Sequence, residues 1–195
     1  MALSATTLSN ELRKFMDKEY ASFEDFPADE TEAKTKWGNA LQAYLDEIEV
    51  VSPPTISDTQ NQIGVSSCGS TFGNALVFTV PGTIITSATS VSTAWAAAMA
   101  TITPTPTAEY LGAGSGSLIT LITLPFPTIA AQQAALLASV TSVFSDISIG
   151  GTAKSKCGDL ASAIHTATSA CVTTTCTYVN PAAPPPTLTG PLAFG

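Results

Sequence analysis

Residues 128–172 constrain the fold of this chain most, because they repeat an apolar pattern at helical spacing over two consecutive segments. Within each segment the apolar residues recur mostly at intervals of three, four or seven, which places them on one face of a helix. Gly150-Gly151-Thr152 lies between the segments and supplies a helix stop followed by a helix N-cap. The pattern predicts an antiparallel pair of alanine-rich helices. Its apolar positions are Ile129, Leu136, Val140, Val143 and Ile147 in the first helix, and Cys157, Leu160, Ile164, Ala167 and Cys171 in the second.

The start of the chain predicts two further amphipathic helices with charged outer faces. The first is expected over residues 4–22, capped by Ser4 or Thr7. The second is expected to begin at Asp29 and to end before Pro53, since proline disfavours helical backbone in the residue before it. The two helices would form a separate charged hairpin.

The remaining segments complete a predicted organisation in four parts. A third major helix is expected over Thr83–Thr103, and Leu76–Val80 is expected to be a short strand or an extended segment. The fold class expected is mainly α, an alanine-rich helical bundle with extended loops, a proline-rich C-terminal arm and little β structure. The parts are a charged helical hairpin over 1–51, a loop or arm over 52–83, an alanine- and threonine-rich helical unit over 84–173 and an extended tail over 174–195.

Charge is scarce and unevenly distributed. Only 11% of the residues are charged, against about 25% in a typical globular domain. Residues 1–50 hold eleven of the fifteen acidic residues and five of the seven basic ones. Since soluble domains normally keep charge on their surfaces, the rest of the chain either faces other subunits or is polar through serine and threonine. The net charge of −8 argues against a nucleic-acid partner, which attracts clustered Lys and Arg.

Two apolar stretches outside the helices are candidates for contacts with other chains. Residues 118–124 are uncharged and β-prone, so they could pair with another edge or chain. The proline-rich tail favours polyproline II locally, and its apolar end suggests that it docks on a neighbour. The candidate interface residues are Leu118, Leu121, Leu124, Leu188, Leu192 and Phe194.

No pattern in the sequence predicts catalysis, a cofactor or a metal. His165 is the only histidine, and Cys157 lies about 12 Å away along the same predicted helix, too far for a hydrogen bond. His165 is instead expected on a helix surface near a subunit contact. The glycines of residues 112–116 lack the following Lys-Ser/Thr of a phosphate-binding loop. The acidic residues of 24–32 lack the glycine turn of a calcium loop.

The four cysteines are expected to be reduced, because no signal peptide precedes them. Cys157 and Cys171 lie on the apolar stripe and are predicted core residues. A bond between Cys171 and Cys176 requires the helix to end between them, which sequence leaves open. No stretch of about 18 strongly apolar residues is present, so a membrane span is not expected.

The chain resembles small virion structural proteins of tailed bacteriophages. The resemblance is carried by the opening Ala2-Leu3-Ser4-Ala5-Thr6-Thr7-Leu8, the Ala/Thr/Ser-rich helices of 84–102 and 128–172, and the tail from Pro181 to Leu192. It implies a tail, baseplate or neck component of a virion, in which helices pack around a symmetric assembly and extended termini contact neighbours. It implies no functional residue.

We therefore expect a non-enzymatic subunit that forms homo-oligomers within a larger assembly of virion proteins. Deleting residues 174–195 is expected to leave the fold intact and to weaken incorporation into the particle. Two alternatives are an adhesion or receptor-binding module on a virion or cell surface and a small membrane-active protein using residues 118–149.

Overall fold

The computed structural model of the chain describes its backbone over most of the sequence. The described residues are 3–48, 50–52, 56–57, 63–78, 82–104, 108–110, 117–121, 128–147, 151–172, 176–180 and 187–194. Side chains are described over 3–48, 65–78, 82–102, 128–146 and 151–171.

In the part of the chain that the structure describes, six helices form the body of the protein, and the predicted mainly α class is confirmed. Each helix packs against the next one along the chain, and the sixth also packs against the first, so the six form a closed ring. The interior of this ring is the hydrophobic core. The helices are α1 (Ala5–Met16), α2 (Glu30–Leu45), α3 (Cys68–Ala75), α4 (Ile84–Met99), α5 (Ile129–Ile147) and α6 (Ala153–Val172).

The caps of α1 and α2 follow the sequence signals. The hydroxyl of Ser4 accepts a hydrogen bond from the Thr6 N–H, and the carboxylate of Asp29 accepts one from the Glu32 N–H at 2.8 Å. Glu47, just after α2, accepts from the Ser4 N–H at 3.1 Å and from the Thr7 hydroxyl at 2.8 Å. These bonds fasten the start of α1 to the end of α2. Helix α1 ends at Met16, whereas we had predicted that it would extend to residue 22.

Helix α3 was not predicted from the sequence; we had interpreted residues 52–83 as a loop or arm. Its sequence, Cys-Gly-Ser-Thr-Phe-Gly-Asn-Ala, is rich in poor helix formers. Tertiary packing overrides this preference, since its glycines permit α2 and α3 to touch through their backbones. Gln42 accepts a hydrogen bond from the Gly69 N–H at 2.9 Å and satisfies a donor in the first turn of α3. After α3, Leu76–Phe78 is not a strand, and residues 79–80 of the predicted extended run lie outside the described residues.

Glycines occupy both sides of the contact between α2 and α3. A Cβ at Gly38 would lie 2.5 Å from the Gly69 carbonyl oxygen, and one at Gly69 would lie 2.5 Å from the Gly38 oxygen. A Cβ at Gly73 would overlap the carbonyl oxygen of Lys34. Backbone atoms cannot move aside as a flexible side chain can, so only glycine fits at these positions.

The other three helices agree with the apolar pattern. Thr83 and Thr86 form a capping box at the start of α4, which covers most of the predicted 83–103 segment. Thr152 caps α6 by accepting from the Ser155 N–H at 3.2 Å. The predicted α6 stripe is wholly buried, as are the central positions of the α5 stripe. These buried residues are Cys157, Leu160, Ile164, Ala167 and Cys171 in α6, and Leu136, Val140 and Val143 in α5.

In the described part of the chain, eight short strands accompany the helices. Six of them form an antiparallel sheet of order β1-β8-β7-β6-β5-β2, and β3 pairs with β4. The strands are β1 (Val50–Ser52), β2 (Ile56–Ser57), β3 (Ile63–Gly64), β4 (Thr103–Pro104), β5 (Ala108–Tyr110), β6 (Ser117–Leu121), β7 (Cys176–Asn180) and β8 (Thr187–Phe194).

The predicted extended tail contains two of these strands, so its described parts are not polyproline II. Strand β8 lies between β1 and β7, and β7 pairs on its other side with β6. Residues 181–186, the centre of the proline-rich run, lie outside the described residues. The expectation that residues 174–195 can be deleted without effect on the fold does not fit this order, because the deletion removes two interior strands.

Replacing Gly38 with alanine is expected to destabilise the protein by about 2 kcal/mol or more, because the methyl group must push two backbones apart. Gly158, in the middle of α6, is the matched control, since a Cβ there would meet nothing closer than the Ser9 hydroxyl at 4.0 Å. Gly158→Ala is expected to stabilise by about 0.5–1 kcal/mol through helix propensity. Urea unfolding of both variants measures the difference, and equal effects would contradict the proposed backbone contact.

Candidate functional site

A chain of hydrogen bonds crosses the centre of the helix ring. The indole N–H of Trp95 in α4 donates to the hydroxyl of Thr168 in α6 at 3.0 Å. That hydroxyl is also hydrogen-bonded to the phenol of Tyr44 in α2, whose oxygen lies 2.9 Å from His165 Nδ1. Trp95, Tyr44 and Thr168 are fully buried. The chain therefore joins three helices that alternate around the ring.

The hydrogen bonds of this chain can be completed with either Tyr44 or His165 as the donor between the two. Trp95 can only donate, so Thr168 must accept from it. If Nδ1 of His165 carries no proton, the Tyr44 hydroxyl donates to it and Thr168 donates to Tyr44. If Nδ1 carries a proton, it donates to Tyr44, and Tyr44 donates to Thr168. Burial raises the pKa of Tyr44 and keeps the phenol neutral. This tolerance suits a structural tie between helices.

His165 was expected on a helix surface near a subunit contact, and the structure corrects this. The ring is half-buried and directed at Tyr44, with the two rings edge to face at 6.0 Å. The sequence held a weak signal for this placement: Thr168 stands beside the apolar stripe of α6, three residues after His165. A polar residue at a buried helical position needs a partner, but its identity depends on which helices meet.

The described cysteines are core residues, as predicted for Cys157 and Cys171. Cys68, Cys157 and Cys171 are buried thiols, and Cys68 Sγ lies 3.4 Å from the Thr101 hydroxyl. Burial raises the pKa of all three thiols, that of Cys157 to about 11, with nearby Asp17 contributing further. Since the thiolate is the nucleophilic form, these residues are inert at neutral pH. The side chain of Cys176 lies outside the described side chains.

Five of the six predicted interface residues lie in the six-stranded sheet. Leu118 pairs with Glu109 and Leu121 with Tyr178, while Leu188 pairs with Val179, Leu192 with Cys176 and Phe194 with Val50. Their strands, β6 and β8, each have a partner strand on both sides within the chain. Of the predicted run 118–124, residues 118–121 therefore find their strand pairing inside the chain. Leu124 lies outside the described residues.

The surface of the helix ring divides into a charged part and an uncharged part. Residues 65–102, which contain α3 and α4, include no Asp, Glu, Lys or Arg, and α5 has only Asp146 in its last turn. Within the described side chains, ion pairs are confined to α1, α2, the segment between them and the facing ends of α5 and α6. We call the exposed surface of α3, α4 and α5 up to Ser145 the uncharged face.

Large apolar side chains are exposed where α3 leads into α4, at the edge of the uncharged face. Ile85 is 66% and Val77 60% exposed, and Phe78 and Ile84 are exposed as well. The Val77 N–H donates to the Ser90 hydroxyl at 2.7 Å, which holds this residue against the first turns of α4. We call Val77, Phe78, Ile84 and Ile85 the apolar tip. Exposed apolar clusters of this kind mark contact surfaces.

Other surface features offer less chemistry. A groove of about 480 Å³ between α5 and α6 is lined mainly by small side chains, and the carboxylates at one end, Asp146 and Asp159, are paired with Lys156. Across the described residues, no group of three or more metal-ligating side chains comes together. No helix in the described part of the chain is long and apolar enough to span a membrane.

Comparison with known protein families, with characterised proteins and with solved structures found no match to this chain. The functional argument therefore depends on the surface and the interior of the chain itself.

Replacing Thr168 with valine is expected to destabilise the protein by about 1–3 kcal/mol, because it leaves the buried Trp95 N–H and the Tyr44 hydroxyl short of a partner. Thr166→Val is the matched control on the same helix, since Thr166 is exposed and donates only to the Ser162 carbonyl. Chemical denaturation followed by Trp fluorescence measures both. A Thr168→Val variant as stable as its control would show that this chain of hydrogen bonds contributes nothing to the free energy of unfolding.

The free energy of unfolding is expected to fall as the pH rises above about 8.5, the ordinary pKa of a thiol. In that range the unfolded chain loses thiol protons that the native state retains, Cys157 up to about 11, so alkali favours unfolding. Stability from this source is fully present at neutral pH. Urea titrations at pH 7, 9 and 10.5 are expected to give a shallower fall for Cys157→Ala than for the wild type, and parallel falls would contradict the assignment.

Proposed function

We propose that this protein is a non-enzymatic structural subunit of a virion, in the tail, baseplate or neck of the tailed phages that its sequence resembles. The observation that carries the proposal is the uncharged face, together with the apolar tip at its edge. The resemblance in sequence is the reason for proposing a virion protein. The uncharged face and the apolar tip are the reason for proposing assembly as its mode of action.

The uncharged face supports assembly because it differs from an ordinary solvent-facing surface. A free domain mixes charges of both signs over its exposed helices, and α1 and α2 do so here. The exposed positions of α4, and those of α5 before Asp146, carry Ile, Thr, Ser and Ala instead. A neighbouring subunit can cover such residues without removing any charge from water. Removing a charge from water costs several kcal/mol per ion.

The interior supports the same proposal. The buried polar groups are used to join helices: Thr168 and Tyr44 link α6 to α4 and α2, and Cys68 contacts Thr101. A subunit that transmits load between neighbours benefits from a body tied together in this way. The charged hairpin of α1 and α2 would then face solvent or a different component of the particle.

The direct test is mass spectrometry of purified particles with determination of copy number. A fixed copy number of this chain per particle is expected. Its absence from purified particles would overturn the virion proposal.

A charge placed on the uncharged face is expected to reduce incorporation. Ala138 is exposed on α5, and Ala138→Glu keeps a good helix former while adding a charge that a neighbour must desolvate. Ala21→Glu adds the same charge at an exposed turn next to the charged hairpin and serves as the control. Particle incorporation of the first variant is expected to fall about tenfold or more, with circular dichroism unchanged, and equal incorporation would contradict assembly through this face.

A further inference from the structure

We propose that the cavity between the end of α1 and the start of α6 binds a small organic monoanion, a carboxylate joined to an aromatic or aliphatic body. The site is separate from the proposed assembly function, because none of the residues that line the cavity belongs to the uncharged face or the apolar tip.

The cavity lies where two helices that close the ring come together. Helices α1 and α6 pack against each other, and the cavity is lined by residues 16–19, by residues 152–154 and by Phe26. Its volume is about 500 Å³, and small-ligand sites in proteins measure roughly 300–1,000 Å³. The cavity is therefore large enough for a ligand of the size of an aromatic acid.

The two basic side chains without an ion pair both line this cavity. The chain has seven Lys and Arg residues against fifteen Asp and Glu, so carboxylates are in excess. Among the described side chains, Lys18 and Lys154 pair with no carboxylate, whereas the other five basic residues do. Those five are Arg13, Lys14, Lys34, Lys36 and Lys156. Two cations are thus left at one cavity for an anion from outside the chain.

The charge around the cavity fits a monoanion. The carboxylate of Asp17 also lines it, but it accepts from Arg13 Nε at 2.8 Å and from the Glu19 N–H at 3.1 Å. The hydrogen bond from Arg13 lowers the pKa of Asp17, and the nearby charge of Lys154 adds to the effect. Asp17 and Arg13 therefore neutralise each other. The two unpaired lysines against the exposed Glu19 leave one positive charge, which one carboxylate balances and a phosphate dianion exceeds.

Apolar side chains beside the lysines select a ligand with an apolar body. Met16 and Phe26 line the same cavity, and Phe26 is 52% exposed. The ring of Phe26 packs edge to face on Phe23, with the centroids 5.0 Å apart, so it is held in place while it stays accessible. A ligand with an aromatic or aliphatic body removes this surface from water, which an inorganic anion does not.

Titration of the full chain with 3-phenylpropionate, followed by ¹H–¹⁵N correlation spectra, tests the site. Saturable shifts are expected at the amides of residues 16–19 and 152–154. The dissociation constant is expected to be about millimolar, because the lysines are exposed and water screens their charges. Two control ligands each lack one half of the chemistry: 3-phenylpropionamide has no charge, and acetate has no apolar body. Each is expected to bind about fivefold more weakly or less.

Substitutions assign the binding to the unpaired lysines. The double variant Lys18→Gln, Lys154→Gln is expected to raise the dissociation constant for 3-phenylpropionate about fivefold or more. The double variant Lys14→Gln, Lys34→Gln makes the same change in net charge at two paired lysines outside the cavity. It is expected to leave the constant unchanged. The spectra also show whether each variant is folded.

Two further ligands test the class of the anion. Phenyl phosphate, mainly a dianion at neutral pH, is expected to bind no more tightly than 3-phenylpropionate, and tighter binding would overturn the assignment of a monoanion. A pentapeptide that ends in a phenylalanine carboxylate presents the same chemistry from a chain end. Tighter binding of this peptide would overturn the small ligand in favour of the end of a partner chain.

The site itself is overturned if 3-phenylpropionate causes no saturable shifts at these amides. Equal binding of 3-phenylpropionamide would overturn the role of charge, and an equal effect of the two double variants would reduce it to general electrostatics. None of these results bears on the virion role, which is decided by the presence of the chain in purified particles.

Discussion

Buried hydrogen bonds between helices that are not ring neighbours fix the arrangement of this fold. Packing of each helix on the next would be satisfied by many small changes of tilt, because apolar contacts have little directionality. The hydrogen bonds from Trp95 to Thr168 and from Tyr44 to His165 allow far less freedom, since each requires its atoms within about 3 Å. They set α2, α4 and α6 relative to one another. The positions of α1, α3 and α5 between them follow from the size of the side chains that fill the ring.

The sequence predicted the elements whose pattern is local, and it failed where the stabilising partner is distant in sequence. The stripe from Cys157 to Cys171 gave the buried face of α6, and Asp29 gave the start of α2. Helix α3 was not predicted, because its glycines disfavour a helix. Their role becomes clear only from the close approach of α2. The tail was missed partly for this reason, since β8 pairs with the distant β1 as well as with the nearby β7.

The candidate contact surface, formed by the uncharged face and the apolar tip, was partly predictable from the sequence. The shortage of charge after residue 51 is visible in composition, and it led to the expectation of contacts with other subunits. Composition could not say which apolar residues remain exposed. The leucines of residues 118–121 were chosen for their β propensity and those of 188–192 for the apolar end of the tail, and the strands of both groups pair within the chain. Ile85 and Val77 were not among the predicted interface residues, because their exposure depends on how α3 and α4 pack.

The closed order of the helices has a consequence for how the protein folds. Five of the six helix contacts in the ring join elements that follow one another along the chain, so they can form while the polypeptide is still short. The contact of α1 with α6 must close a loop that spans residues 17–152. Closing so long a loop carries a large entropic cost and slows the step that depends on it. During synthesis, one flank of the apolar stripe of α1 therefore stays uncovered until α6 has left the ribosome.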